Sequence, residues 1–460
     1  MCKLFLNISM KIIIITLLAA LFALPVQAEK TYKYRIALTD KAGSEYTIDK
    51  PQDFLSVKAL ERRSRQQLGI DSTDLPVSRI YLKELAAMGA QIVTTSKWNN
   101  TVVIEITDTL LIKSLKSYSF VKDVRKVWTQ PDSVPPRNVE RKKEITNQVK
   151  KGTDLYGKGY QQINIHGGDS LHAAGFCGEG IHVAIIDAGF YNVDHIKFFQ
   201  KMDLLGTRDF VNPKSDIYAE NNHGMMVLSC MAAQTPKVFV GTAPKASYWL
   251  LRSEDADSEQ PVEEDYWAAA MEFADSVGVD VVNTSLGYYA FDDASANYRY
   301  RDLDGHHSLM SHTASMAADK GMVVVCSAGN SGRGTWKKIT PPGDAENVIT
   351  VGALTRELVN TEFSSVGNTA DGRIKPDAMA VGYQATVSGN DGTVSRANGT
   401  SFASPILCGV VACFWQACPW LTAKDVVRAV QQAGDRSDYP DNIYGYGVPN
   451  LWNVYLKIKE

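Results

Sequence analysis

The sequence has no Cys-x-x-Cys pair, no Gly-x-Gly-x-x-Gly turn after a strand, no internal repeat and no low-complexity tract. Past the first 28 residues it also has no apolar run approaching 18 residues. Each absence excludes a class. Without paired cysteines or Cys/His spacing, neither a thioredoxin-type redox motif nor a zinc ribbon is encoded. Without the glycine-rich turn there is no case for a dinucleotide or other redox cofactor. Without a second apolar run, no transmembrane segment remains once a leader is removed. The net charge of −3 gives no general case for a nucleic-acid partner. With 45% apolar and 22% charged residues, the 460-residue chain is ordinary globular protein rather than disordered or fibrous.

What is present begins with a leader. Lys11 precedes the apolar run Ile12–Leu24, and Pro25-Val26-Gln27-Ala28 supplies a small-residue cleavage site, so residues 1–28 read as a signal peptide and the protein as exported. Cys2 leaves with it. Of the six remaining cysteines, Cys230, Cys326, Cys408 and Cys413 sit among small or apolar neighbours and read as buried thiols, with no disulfide partners assigned. Charge divides the rest: residues 29–151 carry a net +8 and residues 152–460 a net −13.

The basic front part reads as a small α+β unit. Strands are expected at Tyr32–Leu38, Ala90–Ser96, Thr101–Ile106 and Val121–Trp128. Helices are expected after Ser56 (to Leu68), after Ser78 (to Met88) and from Asp108. Apart from one extra helix, this is the β-α-β-β-α-β order of ferredoxin-like folds. A proline- and charge-rich linker follows at Gln130–Asn147. Beyond it, short apolar runs at His182–Ile186, Ser247–Leu251, Val279–Val282, Met322–Cys326 and Val348–Val351 alternate with helical stretches, which predicts a doubly wound, mostly parallel α/β sheet.

In such sheets functional groups gather beyond the carboxyl ends of the strands. Asp187-Ala188-Gly189 follows the first run, His223-Gly224 opens an apolar helix, and Gly399-Thr400-Ser401 opens another. A serine hydroxyl is a poor nucleophile near neutral pH. It needs an imidazole to take its proton, and the imidazole needs a carboxylate to fix its tautomer. Asp187, His223 and Ser401 supply these parts in that chain order. Asn330, in Ser327-Ala328-Gly329-Asn330 after another strand, is the candidate oxyanion donor together with the Ser401 backbone N–H. Singly each piece reads as a cap or turn; together they do not.

These blocks resemble the subtilisin-like serine protease family (subtilases) from about Tyr156 to Tyr455. Gly399-Thr400-Ser401-Phe402-Ala403-Ser404-Pro405 is similar to the nucleophile motif, Val183–Asp187 to the aspartate strand, and His223-Gly224 to the histidine motif. Phe363–Gly367 and Asp371–Asp377 are similar to the run before the nucleophile. The resemblance implies that Ser285-Leu286-Gly287 and Ala328-Gly329 bind substrate backbone and line the specificity pocket. It further implies that the front unit is an inhibitory propeptide docked on the body and cut away on maturation. The expected domains are therefore the signal peptide (1–28), a propeptide-like α+β domain (29–129), a linker holding the processing site (130–155) and a peptidase domain (156–460). Expected partners are polypeptide substrates and the chain's own propeptide.

Two positions depart from the family pattern: Ala188 stands where Ser or Thr follows the aspartate, and Met225 where Thr follows His-Gly. No cofactor is required by this reading and no metal ligand is assigned. A structural calcium is left unassigned, because Glu254–Asp265 lacks the spacing of a calcium loop and reads as a solvated acidic loop. His306 and His307 read as surface. The rival function is a weak or inactive peptide-binding scaffold on the same fold. An α/β-hydrolase esterase would need a Gly-x-Ser-x-Gly elbow and the order Ser–acid–His, which the chain does not have.

Overall fold

The computed structural model describes residues 30–132 and 154–459. The expected signal peptide and most of the linker with its processing site lie outside the described residues.

The front unit comprises β1 (Tyr32–Leu38), α1 (Val57–Arg65), α2 (Arg79–Ala87), β2 (Gln91–Ser96), β3 (Thr101–Ile106), α3 (Leu111–Leu115) and β4 (Val121–Thr129). Its antiparallel sheet has the order β2-β3-β1-β4, the ferredoxin-like arrangement expected. Ser56 caps α1 by accepting the Ala59 N–H at 3.2 Å. The helix ends at Arg65, short of Leu68, because Gln67 takes a left-handed φ of 56°. Ser78 does not cap α2; its hydroxyl donates to the Ala42 carbonyl at 2.7 Å and ties down the preceding loop instead.

Side-chain alternation gives this sheet two jobs. Ile36, Val102 and Ile104 face α2 and α3 in a private core, while Val103, Val127 and Trp98 face the other way into a core shared with the body. The four-stranded sheet thus packs on both sides, against its own helices on one and against the body on the other.

The body is built on seven parallel strands: β5 (His182–Asp187), β6 (Asp203–Asp209), β7 (Ser247–Arg252), β8 (Val281–Thr284), β9 (Val323–Ser327), β10 (Ile349–Leu354) and β11 (Ala378–Val381). They lie in the order β11-β10-β9-β8-β5-β7-β6. Within β5, Val183 and Ile185 point to a core filled by α4 (His223–Ala232) and α7 (Thr400–Ala417). Ala184 and Ile186 point to the core under α5 (Val262–Ser276) and α6 (Leu309–Asp319). Burial on both faces explains the continuous Val/Ile runs. Among the described residues α7 alone is long and apolar enough to cross a membrane, and 94% of it is buried inside the body.

The acidic stretch corrects an expectation. Glu263, Glu264 and Asp265 are not solvated; they form the first turn of α5 and are almost wholly buried where the front unit lands. Arg35 of β1 grips Asp265 with two hydrogen bonds of 2.6 and 2.7 Å. Further along, Glu272 accepts the backbone N–H groups of Lys97 and Trp98 at 2.7 and 3.0 Å. The six described cysteines are free thiols, five of them buried and Cys177 partly so.

Candidate active site

The chain builds β5, β6 and β7 on one side and then crosses β5 to build β8 onward, so a crevice opens at the carboxyl end of β5. Asp187 is the last residue of that strand and is fully buried. His223 is the first residue of α4, its N–H held by the Asn221 side chain at 2.8 Å. Gly224 lets the helix start come this close. A Cβ there would fall 2.4 Å from the Gly189 carbonyl oxygen and 2.9 Å from the Asp187 Cβ.

The imidazole Nδ1 lies 2.8 Å from Asp187 Oδ1, and the ring is 28% exposed. Because a carboxylate only accepts, Nδ1 carries the hydrogen, and in the neutral ring Nε2 is left as the acceptor. Asp187 Oδ1 also accepts the Ala188 N–H at 2.8 Å, while the buried Oδ2 has no donor among the described residues. A Ser or Thr hydroxyl at position 188 would be a local donor; the backbone of Ala188 does part of that work. Arg252, at the tip of β7, fixes this turn by donating to the Ala188 carbonyl at 3.0 Å and to Asp209 at 2.9 Å.

Electrostatics raise the imidazole above its ordinary 6.5. Burial pulls its pKa down, but the charge and hydrogen bond of Asp187, and the charge of Glu254, outweigh it. Glu254 is itself pushed up to about 7, first by burial and then by Asp187, against the opposing pull of His223.

Ser401 sits at the second position of α7 and is 7% exposed. Its hydroxyl donates to the Ser285 carbonyl at 3.3 Å, and the Ser285 hydroxyl donates to the Ser401 carbonyl at 2.9 Å. Among the described residues no hydrogen bond joins Ser401 Oγ to His223. The next side chain, Phe402, packs its ring 5.8 Å from the imidazole, centre to centre. The fold therefore brings Asp187 and His223 into direct contact and sets the start of α7 beside them.

Asn330 follows β9. Its Oδ1 accepts both the backbone N–H and the hydroxyl of Thr400, each at 2.9 Å. A backbone N–H can only donate, so the amide is oriented with its oxygen on Thr400 and its NH₂ turned away. The Thr400 hydroxyl also accepts the Gly329 N–H at 3.2 Å. Ser285 and Ala328 are buried and Gly287 is exposed, while the Leu286 side chain is sunk in the core under α5 and α6 and offers a ligand only its backbone. His306 and His307 are more than half exposed in a turn whose N–H groups bind Asp304.

Residues 178–447, more than half of the chain, match the Subtilase family (Peptidase_S8). The chain belongs to the subtilase family. Residues 33–147 match the Peptidase S8 propeptide domain of Bacteroidota, which covers the front unit. Among relatives, the Thermophilic serine proteinase of Bacillus sp. (strain AK1) is 29% identical over 277 residues, 60% of this chain and 61% of that protein. Serine protease AprX of Bacillus subtilis (strain 168) is 29% identical over 309 residues, 60% of this chain and 66% of that protein. Subtilisin DY of Bacillus licheniformis is 29% identical over 289 residues, 62% of this chain and 93% of that protein. The chain thus spans somewhat under two thirds of the first two relatives' lengths.

This subtilase carries three further contributors to the crevice: Arg252, Glu254 and Thr400. Arg252 directly follows the apolar run Ser247–Leu251, as Asp187 follows its own, and Glu254 lies two residues beyond it at the start of the acidic stretch. Thr400 looked like the helix cap; it serves instead as the anchor for Asn330.

Proposed function

We propose that the protein is an exported serine endopeptidase made as a self-processing precursor. The observation that carries this is the His223–Asp187 pair at the tip of β5, beside the helix start that bears Ser401. In the proposed reaction Ser401 Oγ rotates about χ1 from the Ser285 carbonyl to His223 Nε2. Single staggered rotamer steps of this kind are open to serine. Oγ then attacks the peptide carbonyl carbon while its proton passes to Nε2. Asn330 Nδ2 and the Ser401 N–H, in the first turn of α7, hold the resulting oxyanion. Collapse expels the amine, which takes the proton from His223, and water repeats the sequence on the acyl ester. Asp187 keeps the imidazole in one tautomer and balances its charge.

Substrate backbone would lie along Ser285–Gly287 and Ala328–Gly329. The front unit, residues 29–129, would act as an intramolecular inhibitor until a cut within 130–155 releases the body, residues 156–460, after export directed by residues 1–28. The charge pattern supports this docking: Lys58, Arg62, Arg63, Lys97 and Arg35 of the front unit all meet body carboxylates. The expressed, processed protein should hydrolyse casein, and a serine-directed phosphonate should abolish the activity. Casein binding without cleavage would favour the peptide-binding scaffold.

A further inference from the structure

On the reading just given, the side chain of the residue before the cleaved bond enters the slot between the Ser285–Gly287 and Ala328–Gly329 backbones. The two glycines report what fills that slot. A Cβ on Gly287 would fall 2.4 Å from Thr340 Oγ1. A Cβ on Gly329 would fall 2.9 Å from the same oxygen and 3.2 Å from Thr340 Cγ2. One side chain therefore stands within a single carbon's reach of both walls.

Thr340 has no room to retreat. It is 4% exposed, its N–H donates to the Ala328 carbonyl at 3.2 Å, and its carbonyl accepts the Gly343 N–H at 2.8 Å. The neighbouring Pro341 carbonyl is held by the Tyr288 N–H at 3.1 Å, which joins this segment to the first wall as well. Behind it Ile339, Ala328 and Leu303 are fully buried together, with Trp336 packed against them. A β-branched side chain is also stiff about χ1. Ser365 adds a second hydroxyl, with Oγ 3.0 Å from the Cβ position of Gly329.

We propose that Thr340 is the floor of the specificity pocket and restricts cleavage to bonds after small residues: glycine, alanine and serine. Closely packed backbones and two hydroxyls leave an aromatic or long aliphatic side chain nowhere to go without displacing buried neighbours.

The test uses the expressed, processed protein and peptide amides identical except for glycine, alanine, serine, leucine or phenylalanine before the cleaved bond. Alanine and serine should exceed phenylalanine in kcat/KM by about a hundredfold or more, since one misfitted methylene alone costs about 10- to 200-fold. Thr340→Gly should raise the phenylalanine and leucine values at least about tenfold, with Thr340→Ser in between. Wild type that prefers leucine or phenylalanine, or a Thr340→Gly ratio that does not move, overturns the inference. Labelling rates with peptidyl phosphonates of the same series give a readout that needs no turnover. A plain alkyl fluorophosphonate separates the failures. If it labels both proteins but the ratios stay fixed, the pocket inference alone fails; if it labels neither, the hydrolase reading and this inference fail together.

Discussion

Arg63 of the front unit donates from Nη2 to both carboxylate oxygens of Asp275 in α5, at 2.9 and 3.0 Å, with both side chains shut away from solvent. Arg62 binds the same carboxylate, Lys97 lies 3.4 Å from it, and Asp74 shares Arg63 at 3.0 Å. Asp275 of the body touches both buried guanidinium groups, and with Asp74 of the front unit it balances their charge.

Asp275→Asn should therefore destabilise the docked precursor severely. Removing one member of a buried charge group leaves the others uncompensated, at a cost of about 3–5 kcal/mol. Glu45→Gln breaks the exposed pair with Arg79 and should change stability by less than about 1 kcal/mol. Urea unfolding of the two variants in a Ser401→Ala background, where no processing occurs, measures both.

Asn330→Ala should lower kcat by about 10²–10³ with little change in KM, the size of loss known for removing one oxyanion donor in subtilisin. Thr400→Val removes only one of the two bonds that orient Asn330 Oδ1 and should cost less. Steady-state kinetics on a peptide amide distinguishes the two.

Glu254→Gln should shift the acid limb of kcat/KM to lower pH. The general base must be neutral, and the charge of Glu254 is one of the influences that keep His223 protonated above its ordinary pKa. Because burial pushes Glu254 up to about 7 and its charge is coupled to that of His223, the limb belongs to the pair rather than to one residue. A pH profile unchanged by the substitution would remove Glu254 from the electrostatics of the site.

Glu263 is fully buried, and its pKa is pushed up to about 11, first by burial and then by Glu254 and Glu259, against a smaller opposing effect of the Tyr288 hydroxyl. A carboxyl whose folded pKa is raised holds its proton more tightly folded than unfolded. Its contribution is present below the unfolded pKa near 4.5 and is lost as pH rises toward the folded value. Glu263→Gln, which keeps the shape without the charge, should gain on wild type as pH increases through that window, by at most about 1.4 kcal/mol per pH unit. Thermal unfolding in the Ser401→Ala background at about pH 5 and about pH 9 reads the difference.

The parts of the fold legible in the sequence are those whose burial is set locally. Val183–Ile186 and Val323–Cys326 are continuous apolar runs because both faces of each strand are covered, and the Asp187 and Asn330 positions follow from where such runs stop. β6 was not legible: it is an edge strand with exposed Asp203, Leu204, Thr207 and Arg208, so its pattern resembles a loop. β11 is four small or apolar residues next to Pro376-Asp377, too short to show a period. The burial of Glu263–Asp265 was not legible for a different reason. It is imposed by Arg35 and the rest of a sheet some 230 residues earlier in the chain, and no local pattern reports a docking partner.

In the proposed reaction the hydroxyl of Ser401 performs the chemistry. Intact-mass analysis of wild type and Ser401→Ala, each before and after treatment with an alkyl fluorophosphonate, decides whether it does. Wild type should lose its front segment and gain one phosphonate at Ser401, while Ser401→Ala should stay at precursor mass and unlabelled. Wild type that remains unprocessed and unlabelled across a range of pH and calcium, or a Ser401→Ala protein that still matures, would contradict it.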